Sequence, residues 1–266
     1  MEGLVIFGSI LLIAAIALFF VQRHYNLKLR SLKLADAMTT VELHQLADHI
    51  AHEIGSGSLR RYVKVSGVIT CENPLISELK QMPCVYYTMS VTREYEEDVR
   101  KTDSDGKTYW STERRSQTMS SNSQSTPFFV RDRHGDVQVN PSNAAIDTVS
   151  VLDEFRSAGS SSSFSVGAFQ MNLNMFSQSG SRTIGYRYKE SILPLNRHVL
   201  VVGLASDQTS VLQIEQPTES GKKFFISLKS EASLSQETKN TMTYAGVGTA
   251  VSGVLGVIFL LIALLS

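Results

Sequence analysis

Cys84 is the residue whose type best suits nucleophilic chemistry. It follows Pro83 at the head of an alternating segment. A thiol attacks only as thiolate, which requires a nearby histidine or an electropositive setting. His134 and His198 lie in the same β region, but no spacing ties them to it, so a small buried apolar role is expected. His44, Asp48 and His52 recur at every fourth position and fall on one helix face, where imidazoles and a carboxylate can approach a metal. A fourth ligand is not evident, and any solvated face shows this spacing, so no metal is expected. Glu190 stands among aromatics in Tyr186-Arg187-Tyr188-Lys189-Glu190 and is expected to pair with a neighbouring Arg or Lys, or to face solvent. The serines cluster in flexible stretches that cannot hold a reactive geometry. The G-x-S-x-G, H-E-x-x-H, Walker A and G-x-G-x-x-G patterns do not occur. Catalytic residues, cofactors and metals are therefore all expected to be none.

The elements that would position these residues begin and end in apolar runs. Gly3–Val21 and Tyr244–Leu265 carry no charge, and each has about the 20 residues that a helix needs to cross a bilayer. The first run has no basic residue before it and no small-residue cleavage site after it, so it reads as a retained anchor rather than a signal peptide. Arg23, Lys28, Arg30 and Lys33 follow the first run, and Lys222, Lys223, Lys229 and Lys239 precede the second. The positive-inside rule then places the middle segment in the cytoplasm and both tips outside, in a bacterial inner (plasma) membrane; a periplasmic middle is the alternative. Lys+Arg and Asp+Glu balance at 25 each, which argues against nucleic acid as a partner. Two cysteines, Cys71 and Cys84, cannot build a zinc ribbon or a disulfide framework. They are expected as buried thiols on neighbouring strands, with one bridge conceivable.

Between the anchors the periodicity changes twice. Residues 23–58 read as juxtamembrane amphipathic helices. The stretch 22–38 continues the first helix with a basic face suited to anionic headgroups or simply to solvent. Thr39-x-x-Glu42 is a capping box, followed by Leu43, Leu46, Ala47, Ile50 and Ile54 on one face and a stop at Gly55-Ser56-Gly57. From there to about residue 235 the period is two, as in a mainly antiparallel β-domain. Phe129–Val139 reads as a hairpin with Gly135 at a positive φ. Two stretches read as Ser-rich loops: 100–126, a mobile hairpin or loop, and 157–182. In the second, Phe164, Val166, Phe169, Met171, Leu173, Met175 and Phe176 suggest a strand, an interface patch or a disordered insertion. In the second span (243–265) Gly248, Ser252 and Gly256 recur every fourth residue, beside Ala245, Thr249 and Gly253. Such tracks let another helix approach closely. That helix is the first span (1–22), a second copy or another membrane protein.

The soluble part resembles the BAM ("beside a membrane") or GIDE domain. This domain lies between the two transmembrane helices of the GIDE or MAPL mitochondrial ubiquitin ligases and also occurs in prokaryotic proteins. The resemblance rests on an ordered series: Gly67-Val68-Ile69, Met82-Pro83-Cys84-Val85-Tyr86-Tyr87, Val91-Thr92-Arg93-Glu94-Tyr95, Pro127-Phe128-Phe129-Val130-x-Asp132-x-x-Gly135, Tyr188-Lys189-Glu190-Ser191-Ile192-Leu193-Pro194 and Val201-Val202-Gly203-Leu204. Pro83, Cys84, Asp132, Gly135, Glu190, Pro194 and Gly203 are expected to be structural members of it. The mitochondrial ligases carry a zinc-binding RING after the second helix. Here no cysteine follows Cys84, so ligase activity is not carried over. In those relatives the domain faces the intermembrane space, which disagrees with the Lys/Arg distribution of this chain. Bacterial members keep company with LemA-type proteins and membrane proteases.

The expectation is therefore a membrane-anchored mainly-β (α+β) protein, two transmembrane helices flanking an antiparallel β-rich domain. It would act as a non-enzymatic scaffold that assembles with other membrane proteins, as homo- or hetero-oligomer, through its β-domain and its small-residue helix. The alternative is a membrane-bound enzyme or regulator, a RING-less relative of the ligases, using a site near Cys84 and Glu190.

Overall fold

A computed structural model describes residues 2–158, 163–166, 169–172, 181–209 and 211–265. In chain order the elements are α1 (Glu2–Leu34), β1 (Asp36–Ala37), α2 (Thr40–Glu53), β2 (Arg60–Thr70), β3 (Leu75–Ile76), β4 (Pro83–Thr102), β5 (Thr108–Ser125), β6 (Phe128–Arg131), β7 (Asp136–Val139), β8 (Ala145–Ile146), β9 (Val149–Ser157), β10 (Ser163–Val166), β11 (Phe169–Asn172), β12 (Ser181–Pro194), β13 (His198–Ser206), β14 (Gln213–Glu215), β15 (Phe225–Ser227) and α3 (Glu231–Leu265). Two long apolar helices thus flank a β-rich middle, the α+β anchored architecture. The chain forms two compact units: residues 1–67, 130–145 and 198–266 make the first, and residues 68–129 and 146–197 the second.

The first unit contains all three helices. α1 and α3 are antiparallel: Gly8 lies opposite Gly256 and Leu260, Ala15 opposite Gly253, Leu18 opposite Gly248 and Gln22 opposite Gly246. Phe7 and Phe259 meet edge-to-face with centroids 5.3 Å apart. α1 does not stop where its apolar run ends. It continues unbroken to Leu34, about 18 Å beyond Gln22 at 1.5 Å per residue. α3 likewise starts at Glu231, twelve residues before the apolar run expected from 243. The eight-stranded sheet has the order β1-β2-β6-β7-β14-β13-β15-β8, and an added β2–β13 pairing closes β2, β6, β7, β14 and β13 into a ring. Leu32 and Ala35, at and just past the end of α1, and Leu234 of α3 share a core with Tyr62, Leu200, Val202 and Phe225 from this sheet.

α2 starts at a complete capping box. Thr39 accepts from the Glu42 N–H while the Glu42 carboxylate takes the Thr39 N–H. The helix is followed by Gly55 and Gly57 at φ +115° and +85°, values that L side chains rarely adopt. Gly135 is different from the expectation. Positive φ among the described glycines occurs at Gly55, Gly57, Gly106 and Gly221, so the β6–β7 turn obtains its shape elsewhere.

The second unit is a five-stranded sheet ordered β3-β4-β12-β9, with β5 also paired to β4. Of the hairpin or loop expected for the stretch 100–126, the structure shows the hairpin, and most of it is strand. β4 and β5 pair in continuous antiparallel register from Tyr86↔Ser125 to Thr102↔Thr108, with one irregularity at Val91/Thr92. The turn is confined to residues 103–107, where the Asp103 carboxylate accepts from the Asp105 and Lys107 N–H groups. The Ser/Thr-rich composition fits because serine and threonine pair across an exposed ladder as well as they serve in a loop. In the stretch 157–182, β10 and β11 form a short antiparallel hairpin with Phe164 opposite Met171. Leu173, Met175 and Phe176 lie outside the described residues. The core gathers Leu79, Cys84, Tyr87, Met89, Val91, Leu152, Tyr186, Tyr188 and Ile192.

Candidate functional site

The structure removes Cys84 from nucleophilic chemistry. The residue is fully buried, and burial, reinforced by the charge of Glu190, pushes its thiol up to about 11. A thiol in that state is protonated at neutral pH and is a packing group. Cys71 lies just past the end of β2 and is half-buried rather than buried, its thiol 3.6 Å from the Pro127 carbonyl oxygen; both cysteines are free. Tyr87 is also pushed up, to about 12, by burial and by its hydrogen bond to Glu78.

Glu190 neither pairs with a basic residue nor faces solvent, contrary to the sequence reading. Its side chain is 1% exposed. It accepts from Ser77 Oγ at 2.9 Å, Leu79 N at 2.7 Å and Lys80 N at 2.8 Å. A carboxylate with these donors is a clamp: it satisfies a tight turn's N–H groups and fastens that turn to β12. The β4 pairing ends at Pro194↔Cys84, beside a register shift after Leu193, and Pro83 pairs Ile76 at the other edge. Both prolines therefore sit at strand ends, where a missing N–H is tolerated.

Asp132 has the same role in the first unit. It accepts from Thr40 N at 2.8 Å, Thr40 Oγ1 at 2.7 Å, His134 N at 2.7 Å and Gly135 N at 3.1 Å. Burial pushes its carboxyl up, but these hydrogen bonds outweigh burial and hold it down at about 2. The anion thus stands at the N-terminus of α2, where the helix dipole favours it, and shapes the β6–β7 turn that Gly135 was expected to make. Gly203 provides close approach instead of conformational freedom: an added Cβ would stand 2.8 Å from Ile214 Cγ2 and 2.9 Å from the Glu215 oxygen.

In α3, Gly248 and Gly256 face α1. An added Cβ would stand 3.0 Å from Leu18 Cδ1 at Gly248, and 3.0 Å from Leu12 and 3.1 Å from the Gly8 oxygen at Gly256. Ser252 is half-buried between them. The His44, Asp48 and His52 row does not form a metal centre, and no cluster of three potential ligands occurs among the described residues. His44 Nδ1 lies 2.9 Å from the Thr40 oxygen.

Three features escaped the sequence reading. Lys64 joins both helices to β2: its Nζ donates to the Leu32 carbonyl at 3.3 Å and to Glu231 at 2.5 Å. Asp207 accepts from Gly57 N and Leu59 N, both at 2.9 Å, and fixes the exit of α2. Arg93, 2% exposed, donates to Thr183 Oγ1 and Ser181 Oγ at 2.8 Å each and lies 4.5 Å over the Tyr95 ring. Periodicity points to none of these, because every hydrogen-bonding partner is distant in sequence.

The described residues thus hold no exposed thiol beside a base and no vacant carboxylate pair. Their chemistry-bearing side chains clamp turns, and the long helices mount a sheet. This defines a membrane protein of α+β class with an anchored β-rich domain. Residues 96–262, more than half of the chain, match the family model of GIDE, described as an E3 ubiquitin ligase, and the chain belongs to that family. The match begins within β4, so Pro83 and Cys84 precede it while Asp132, Glu190, Gly203 and the α3 track fall inside it. No curated protein and no solved structure gave a match.

Proposed function

We propose that this GIDE-family membrane protein is a non-enzymatic scaffold that holds its β-rich part at a fixed height above the bilayer for other membrane proteins. The observation that carries this reading is the continuity of the helical hairpin into the sheet. Leu29, Leu32, Ala35, Leu234 and Thr238 are buried on the solvent-side portion of α1 and α3 or at its end, and Lys64 fastens both helices. Such a mount limits orientation as well as distance, which raises effective concentration toward partners in the same membrane. The track of Gly248 and Gly256 already accommodates α1, which supports assigning partner contacts to the β-rich part. LemA-type proteins or membrane proteases are candidate partners, in homo- or hetero-oligomers. The Lys/Arg flanks support a cytoplasmic middle in a bacterial inner membrane.

Purification of the full chain in mild detergent tests this reading. The expected result is a discrete assembly containing a second membrane protein, retained in a Cys84→Ser variant. A chain that runs alone and shows a Cys84-dependent or Glu190-dependent turnover would overturn it.

A further inference from the structure

Where α1 emerges from its apolar run, the first unit forms an open cavity of about 300 Å³, lined on one side by His24 and Lys28 and on the other by Asn143, Gln216, Lys222 and Lys223. No carboxylate is among its lining residues. Glu219 pairs with Lys222 at 2.7 Å from a largely exposed position, and Glu237, which also attracts Lys28, is engaged by Lys229. Lys28 and Lys223 have no ion pair among the described residues. The Lys28 ammonium lies 5.3 Å from the centroid of the Phe225 ring and the Lys222 ammonium 5.3 Å from that of Tyr62. The loop carrying Lys222 and Lys223 is held to α1, with Lys223 N donating to Ser31 Oγ at 3.0 Å and Tyr62 Oη to the Lys223 carbonyl at 2.6 Å. The cationic walls are therefore built into the fold.

The depth of this cavity is set by helix geometry. His24 lies about 4.5 Å and Lys28 about 10 Å beyond Val21, at 1.5 Å per residue. The polar layer outside the hydrocarbon is roughly 5–8 Å thick on each side, so His24 stands within it and Lys28 just past it, where a long lysine side chain reaches back to the phosphate level. Tyr25 and the 77% exposed Tyr244 lie at the same level, the position that interfacial aromatics occupy. We propose that this cavity binds the phosphate group of an anionic phospholipid from the adjoining leaflet. Two ammonium groups and the amides of Asn143 and Gln216 supply donors for phosphate oxygens, while a choline headgroup would meet the same cations and be repelled. The inference rests on the membrane embedding of α1 and α3 and is independent of the scaffold reading.

The test is native mass spectrometry of the full chain in mild detergent with an equimolar mixture of phosphatidylglycerol and phosphatidylcholine. The chain is expected to retain one phosphatidylglycerol in preference. Lys28→Gln with Lys223→Gln should lower that retention roughly thirty-fold. Lys28→Arg with Lys223→Arg should preserve it. Lys33→Gln with Lys239→Gln, which removes equal charge from exposed positions outside the cavity, should leave it unchanged. Equal loss in both glutamine pairs, loss in the arginine pair, or no preference between the lipids overturns the proposal. Displacement of the lipid by millimolar inorganic phosphate would reassign the cavity to a soluble anion and also overturn it. A chain that fails to enter liposomes at all would sink the membrane embedding itself, a distinct result.

Discussion

The two units solve the same problem, fixing turns and sheet edges, with different materials. In the second unit the sheet is stabilised by its own strands and by one buried glutamate, Glu190, whose partners Ser77, Leu79 and Lys80 belong to a single turn. In the first unit the decisive polar contacts join unlike elements. Lys64 ties β2 to α1 and α3, Asp132 ties α2 to the β6–β7 turn, and Ser31 ties α1 to the Lys223 loop. The clamp of the second unit thus stays within its own sheet, whereas the first unit is a junction between membrane helices and sheet. Loss of a clamp should act locally in the second and on the mount in the first.

The largest effect is expected at Glu190. Glu190→Ala leaves a hydroxyl and two backbone N–H groups buried without their acceptor, at a cost on the order of 3–5 kcal/mol. Hydrogen exchange of the full chain in detergent should show fast exchange at residues 77–82 while α1 and α3 keep their protection. Loss of protection in the helices as well would erase the distinction between the units.

Gly256→Leu comes next. The new side chain collides with Leu12 and the Gly8 carbonyl, an overpacking of about 1–3 kcal/mol that pushes α1 and α3 apart. A cross-link between cysteines placed at Ala15 and Gly253 should form more slowly than in the parent, with the β4–β5 hairpin unaltered.

Lys64→Met keeps the aliphatic stem and removes the two polar contacts. With Glu231 half exposed, the expected loss is about 1–2 kcal/mol, seen as faster exchange at residues 31–35 and 231–235 and nowhere in the second unit.

The smallest effect is the acid response of Asp132. Its folded value of about 2 lies below the ordinary 3.8, so its contribution is fully present above about pH 4 and is lost as pH falls toward 2. Discounted for partial solvent exposure, that contribution is about 1 kcal/mol. Acid titration followed by unfolding should show this slope, and Asp132→Asn should abolish it.

Much of this architecture is legible in the chain. The uncharged runs require long helices, Thr39 and Glu42 announce the cap of α2, and alternation from Arg61 announces strands. What the sequence leaves open or misreads shares a cause. At residues 100–126 the serines and charges carry no apolar face and leave hairpin and loop both open, and the β4–β5 ladder with its tight turn at 103–107 realises the hairpin. Gly135 looks like a turn-maker because glycine often is one, but Asp132 shapes that turn through acceptors that composition does not reveal. Glu190 looks like a surface charge because its donors lie more than a hundred residues earlier in the chain.

Sequence alone determined that two helices long enough to span hydrocarbon bracket a β-rich middle, because length and the absence of charge are local properties of each run. Tertiary structure decided that those helices extend into the sheet, that α3's glycines receive α1, and that Glu190 and Asp132 serve as two clamps. Those outcomes depend on which distant groups are brought within hydrogen-bonding or van der Waals reach, and only the folded chain supplies that proximity.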